Sequence, residues 1–293
     1  MEVVFFRKIK TITIKALFSD DVLMDRLVLK GGNALDIVYD IGQRASIDLD
    51  FSIAGEFEEN ELELIERKIR NTLIITFKEY NFEVFDIRFK ERPKKKRAGL
   101  KKYWGGYKVE FKIIELDKSN SFRDDIESRR RNSIVIGPMN KRVFTIDISK
   151  FEYYGEKDKT ELDGLTIFVY TPQLIVMEKL RAICQQMPEY CEIIGANTAS
   201  PRSKDFFDIY TTLEHFQIDL TTDENKSLLK SVFLAKEVPL LLLGKVGDFK
   251  DYHRIDFDSV INTVNPEIKL KTFDFYFDYV VRLCNKLESL WVV

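Results

Sequence analysis

Histidine and cysteine are scarce in this chain, at two and three among 293 residues. Cys184, Cys191 and Cys284 show no short paired spacing, and His215 and His253 stand alone, so a zinc site and a histidine-based centre both lack residues. Unpaired thiols suit a reducing compartment. Long apolar runs are lacking too. The longest, Val238 to Leu243, falls far short of the roughly 20 residues that cross a bilayer. Met1 to Lys10 passes from a few apolar residues straight into Arg7, Lys8 and Lys10, without an apolar core or cleavage site. These absences predict a soluble, cytoplasmic protein with no membrane partner. Net charge is nearly absent as well: 46 basic residues face 48 acidic ones, a formal −2, so contact with a polyanion needs a local patch.

What is present is a hydrophobic content of 45%, enough for a substantial core, and we expect two domains. Residues 3 to 26 carry apolar side chains at helical spacing. Leu27 to Leu29 read as a short strand running into a turn at Lys30-Gly31-Gly32. Asn33 is placed to cap a helix reaching Tyr39. From Ser46 to Ile53 the residues alternate, with Ile47, Leu49, Phe51 and Ile53 on one face and Ser46, Asp48, Asp50 and Ser52 on the other. Glu58 to Tyr80 reads as an amphipathic helix. Phe82 to Phe89, Tyr107 to Leu116, Arg142 to Ser149 and Leu165 to Val169 read as strands. Thr171-Pro172 is a helix start, with threonine as cap and proline where its missing N–H costs nothing. Beyond it the pattern is almost wholly helical, which puts a boundary near 170. The expected fold is α/β, or α+β: a mixed sheet with flanking helices over 1–170, then a helical domain over 171–293.

Residues two apart on a strand point the same way, so Asp48 and Asp50 present both carboxylates on one face. Two hard oxygen ligands side by side form a platform for Mg²⁺, which phosphoryl transfer uses to bridge phosphate oxygens and activate an attacking hydroxyl. Gly31 and Gly32, ahead of a helix, let backbone N–H groups approach a triphosphate that side chains would obstruct. An Asp-x-Asp alone is equally a pair of solvated surface acids; the glycine turn before it favours the metal.

The stretch Leu29-Lys30-Gly31-Gly32-Asn33-Ala34-Leu35, followed by Arg44-Ala45-Ser46-Ile47-Asp48-Leu49-Asp50-Phe51-Ser52, resembles the first signature of the AbiEii/AbiGii toxin family, a branch of the DNA polymerase β-like nucleotidyltransferases. Fifteen residues separate Gly32 from Asp48, slightly more than is usual in the wider superfamily, and Asn33 stands where threonine is commoner. A second block, Glu178-Lys179-Leu180-Arg181-Ala182 and then Arg202-Ser203-Lys204-Asp205-Phe206-Phe207-Asp208, resembles the family's lysine helix and its Arg-x-Lys-Asp-x-x-Asp element. The resemblance implies that Gly31, Gly32, Asn33, Ser46 and Lys179 meet the nucleotide. It implies that Lys179 grips the phosphates and that Asp205 arranges the site from the facing helix. It also implies an abortive-infection or Type IV-like toxin paired with a cognate antitoxin, taking a nucleoside triphosphate as donor and RNA, a transfer-RNA end first, as acceptor.

Plainer readings stand beside these. Lys179 taken alone is a solvated helix lysine, and Asp205, with Ser203 as cap, suits the positive end of a helix. Asp208 is placed to pair with Lys204 one turn away. A third metal carboxylate is open among Asp86, Glu110 and Asp147; Asp147 is favoured by the family likeness because its strand shortly precedes the lysine helix. Arg92 to Lys102 holds seven basic residues and runs into Tyr103-Trp104. It is either a solvated hairpin tip or a grip on RNA with a base stacked on Trp104. Arg129-Arg130-Arg131 is a weaker patch. A small-molecule nucleotidyltransferase and a non-enzymatic nucleotide-binding protein are the alternative functions.

Overall fold

The computed structural model describes residues 2–41, 48–93, 101, 103–136, 140–153, 155, 157–196 and 199–291, with the side chains of residues 2 and 3 excepted. Two helices open the chain, α1 (Glu2–Phe18) and α2 (Asp21–Arg26), the second capped by the Asp20 carboxylate on the Val22 and Leu23 N–H groups. Strand β1 (Val28–Lys30) passes without a loop into α3 (Gly31–Ile37), and β2 (Leu49–Ser52) follows. Helix α4 (Leu62–Glu79) leads into the long hairpin of β3 (Phe82–Arg92) and β4 (Gly106–Glu115). Short helices α5 (Leu116–Ser121) and α6 (Ile126–Asn132) precede β5 (Phe144–Ser149), and a second hairpin joins β6 (Lys157–Leu162) to β7 (Leu165–Tyr170).

The seven strands form one mixed sheet in the order β3-β4-β5-β2-β1-β7-β6. Pairings β2–β5 and β1–β7 are parallel, the rest antiparallel. The alternation predicted for β2 holds over its described part: Leu49, Phe51 and Ile53 are buried. Phe51 meets Phe18 of α1, ring centroids 6.1 Å apart, so α1 lies over the sheet face opposite Asp50. Each such fully buried side chain contributes about 1.5–3 kcal/mol.

From Thr171 onward the described residues contain helices and no strand. The expected start holds: Thr171 caps α7 (Pro172–Cys184) by accepting from the Leu174 N–H. There follow α8 (Pro188–Ile194), α9 (Ser203–Phe216), α10 (Asp223–Leu234), a 3₁₀ stretch (Leu240–Phe249), α11 (Lys250–Arg254), α12 (Asp258–Ile261) and α13 (Phe273–Lys286). One connected apolar core runs through both halves. A buried charge network also joins them. Glu152, after β5, pairs with Arg181 of α7 at 2.8 Å, Lys236 at 3.4 Å and Lys30 of β1 at 3.6 Å, while Glu178 of α7 pairs with Lys30 and, at 3.5 Å, with Arg181. Among the described residues no helix is long and apolar enough to cross a membrane.

Two local expectations fail. Asn33 is the third residue of α3 rather than its cap, because the helix begins directly at Gly31 with Lys30 in the cap position. Ser203 likewise lies inside α9; its hydroxyl donates to the carbonyl of His253 instead of capping.

Candidate active site

The polar face of β2 looks into a cleft of about 480 Å³ between the sheet and helices α7 and α9. Gly31, Gly32, Asp48, Asp50 and Asp147 line it from the sheet side, and Lys179 and Asp205 from the helices. Asp50 and Asp147 occupy register positions opposite each other on parallel β2 and β5, so neighbouring strands put both carboxylates on one face. Gly31 has φ +73°, and a Cβ there would stand 3.0 Å from Oδ2 of Asp50; glycine is what this close approach admits. Asn33 is buried behind the turn. Its Oδ1 accepts from Lys10 Nζ at 2.9 Å and its Nδ2 donates to the Asp48 carbonyl at 2.5 Å, tying α1, α3 and the start of β2 together. Ser46 lies outside the described residues.

Charge is distributed unevenly here. Burial pushes the Asp50 carboxyl up to about 7; Lys30 pulls it down, while Glu178, Asp147 and Asp48 push it further up. Burial also raises Asp147, against Lys108 and Arg92. Asp48 is half exposed and has Lys141 at 3.3 Å. All three donors are carboxylate oxygens, the set a hard divalent cation takes. Among the described residues no three or more His, Cys, Asp or Glu side chains are drawn together tightly enough to close on an ion. The acids face a shared space instead.

Lys179 is not solvated, although it reaches the cleft wall. It is buried, with Asp205 at 3.0 Å and Asp208 at 2.6 Å. Asp208 pairs with Lys179 across 29 residues of chain, a partner that spacing alone did not suggest. Asp205 also takes the Arg202 Nε at 2.5 Å; although burial opposes it, Arg202 and Lys179 hold its carboxyl well below the ordinary range. Arg202 is steadied from behind, its backbone N–H donating to Nδ1 of buried His253 at 3.1 Å.

Of the three strand acids, only Asp147 lines the cleft. Glu110 is surrounded by Lys90 at 2.6 Å, Lys108 at 3.8 Å and Arg92 at 3.9 Å, and Asp86 by Arg130 at 2.7 Å and Lys112 at 3.7 Å. Of the basic run, residues 94–100 and 102 lie outside the described residues; Lys101 pairs with Glu237 at 3.1 Å. Trp104 is partly buried and packs on Tyr190 at 6.5 Å between centroids. Arg129 and Arg130 are spent on Glu83 and Asp86.

Several lining residues were given no site role in the sequence: Lys30, Glu178, Arg202, Lys204 and Asp256. Lys30 ends an apolar strand beside the two glycines, a signal in hindsight. Arg202 and Lys204 sit inside the quoted motif. Asp256 belongs to the turn after α11 and carries no local signal.

The chain matches the family model "Nucleotidyl transferase AbiEii toxin, Type IV TA system" over residues 14–279. No curated protein matches it. Among solved structures it is similar to a protein from Helicobacter pylori described as a candidate nucleotidyltransferase, at 15% identity and a TM-score of 0.50, covering 98% of this chain and 95% of that one. It is also similar to MenT4, a nucleotidyltransferase toxin from Mycobacterium tuberculosis, at 15% identity and a TM-score of 0.48, covering 99% and 85%. The first likeness shows a shared fold. The family match extends over both halves of the cleft, and the chain therefore belongs to the AbiEii family of nucleotidyltransferase toxins of Type IV toxin–antitoxin systems.

Proposed function

We propose that the chain transfers a nucleoside monophosphate from a nucleoside triphosphate to an acceptor hydroxyl on RNA, a transfer-RNA end first, and releases pyrophosphate. One observation carries the reading: Asp48, Asp50 and Asp147 share a cleft with the Gly31-Gly32 turn, whose backbone lies close against the Asp50 carboxylate. Asp48, Asp50 and Asp147 would hold Mg²⁺, which when bound supplies charge neutralisation at the phosphates and a more acidic acceptor hydroxyl. The backbone at Gly31 and Gly32, at the start of α3, receives the triphosphate tail. Asn33 holds Asp48 in place through its carbonyl. Arg202 brings a guanidinium to the cleft wall, a geometry suited to phosphate oxygens. Lys179 acts through its neighbours: it holds Asp205 and Asp208, and Asp205 in turn orients Arg202. The family supplies the further expectation of a cognate antitoxin.

The test is to incubate the protein with each labelled triphosphate, Mg²⁺ and total cellular RNA. Label should enter the small-RNA fraction, with pyrophosphate released in equal amount, and neither should occur with Asp50→Asn. Label transfer that persists in that variant, or no consumption of any triphosphate by the wild type, would overturn the reading.

A further inference from the structure

A single row of charged side chains crosses the sheet from the cleft to its edge. The register pairs Lys30 with Asp50, Asp50 with Asp147, Asp147 with Lys108, and Lys108 with Lys90. Side chains at paired positions share a face, so the row reads plus, minus, minus, plus, plus. Beyond Asp147, this face of β4 and β3 is strongly basic. Arg88, Lys90 and Arg92 alternate along β3 and Lys108 and Lys112 along β4, against the two acids Glu110 and Asp86. In a chain of formal charge −2 this is a local surplus.

The spacing is regular. Neighbouring strands lie about 4.8 Å apart, which sets Lys108 and Lys90 at about 5 and 10 Å beyond Asp147; along β3, Arg88, Lys90 and Arg92 recur every ~6.8 Å. Glu110 sits among Lys90, Lys108 and Arg92 and holds their ammonium and guanidinium groups in a fixed cluster, while leaving most of their charge unneutralised. Among the described residues of β3 and β4, no apolar side chain interrupts this face between Arg88 and Arg92 or between Lys108 and Lys112, because Phe89, Val109 and Phe111 point the other way into the core. A protein partner seeks an apolar centre. A nucleic-acid backbone is met by ordered cations at its phosphates.

We propose that this face is the track of the acceptor: a single-stranded nucleic-acid end lies across β4 and β3, its phosphates against Lys108, Lys90, Arg88 and Arg92, and its terminal hydroxyl reaches the cleft past Asp147. The inference rests on the nucleic-acid acceptor proposed above and assigns it a sheet face that shares Arg92 alone with the hairpin-tip run. It also gives Glu110 a task, the ordering of three cations.

The test compares wild type with the combined Arg88→Gln, Lys90→Gln, Lys108→Gln variant and with a control, Lys226→Gln, Lys230→Gln, Arg254→Gln, which removes the same charge from the helical half. Binding of a 5′-fluorescein-labelled single-stranded RNA is followed by anisotropy across a salt series, and triphosphate binding is titrated on the same preparations. The sheet variant should bind RNA at least tenfold more weakly at low salt. Its log affinity against log salt should flatten by about 0.7 per lost contact, so the curves converge at high salt. Its KM for RNA should rise with kcat kept, and triphosphate affinity should stay at the wild-type value. Wild-type RNA affinity and slope in the sheet variant, or an equal loss in the control, would overturn the track. So would a sheet variant that keeps RNA affinity but loses binding to polyglutamate, which would give the face to an acidic protein. Loss of triphosphate binding in the wild type would count against the transferase reading itself, whereas intact triphosphate binding with unaltered RNA affinity counts against this face alone.

Discussion

The ammonium of Lys179 lies 2.6 Å from a carboxylate oxygen of Asp208, on a helix that faces its own, and both side chains are buried. Asp205 completes the group at 3.0 Å. Removing the lysine takes a cation from two buried carboxylates, a class of change that costs up to about 3–5 kcal/mol. Lys179→Met should therefore lower the urea midpoint sharply without any nucleotide present, and Lys179→Met with Asp208→Asn should recover part of the loss. A wild-type midpoint in the single variant would show that the pair contributes nothing to folding.

Asp50 is the reverse case, a carboxylate whose surroundings disfavour its charge. Asp50→Asn should stabilise the metal-free protein by on the order of 1–2 kcal/mol at pH 8 while abolishing transfer, the trade-off expected where a site stores unfavourable charge. Chemical denaturation in EDTA reads the first effect and label transfer the second. A less stable variant would mean that Asp50 is a structural anchor.

Gly31→Ala combines a left-handed backbone with a Cβ 3.0 Å from the Asp50 carboxylate. The expected cost is about 1–2 kcal/mol from the backbone alone, with triphosphate affinity reduced as Asp50 is displaced. Gly55→Ala, where nothing lies within 4 Å, is the matched control and should be silent. Equal behaviour of the two variants would remove the argument for the turn.

His253 gives the stability a pH dependence. Burial lowers its pKa to about 4, with Arg202 pressing the same way and Asp205 against it. The unfolded chain takes up this proton near pH 6.5, so between pH 6.5 and 4 it binds more protons than the folded chain, and stability falls as pH falls through that window. Asp50, with its raised pKa, takes up a proton in the folded state over part of the same range and works in the opposite sense. The histidine should thus be clearest in an Asp50→Asn background, where unfolding free energy declines on acidification from pH 6.5 to 5. Adding His253→Asn should flatten that decline; an unaltered slope would assign it to other groups.

Much of this arrangement was legible in the sequence, for local reasons. Alternation places Asp48 and Asp50 together because a strand's period is two, and Thr171-Pro172 marks α7 because cap and proline act within one turn. Strand β6 was missed. Its sequence Lys-Asp-Lys-Thr-Glu-Leu is polar on both faces, as the outermost strand of the sheet can be, and only its pairing with β7 defines it. Alternation could not separate Asp147 from Glu110 or Asp86, since all three sit between apolar neighbours. What separates them is which strand lies alongside, a matter of register between segments far apart in the chain. The partners of Lys179 were hidden for the same reason, and Asn33 was misplaced because a strand that runs directly into a helix leaves no residue for the expected cap.

The network of Glu152, Arg181, Glu178, Lys30 and Lys236 reaches beyond the cleft. Its members come from β1, from the segment after β5, from α7 and from the chain beyond α10; Lys30, Glu152, Arg181 and Lys236 are buried, and Glu178 is partly exposed at the cleft. A chain cut at 170 would keep Lys30 and Glu152 but leave behind Glu178, Arg181 and Lys236, exposing unmatched charge together with the apolar surface that surrounds it. The change from strands to helices at that point is thus bridged by buried charge, and the expected outcome in calorimetry is one transition for both halves; two resolved transitions would count against it.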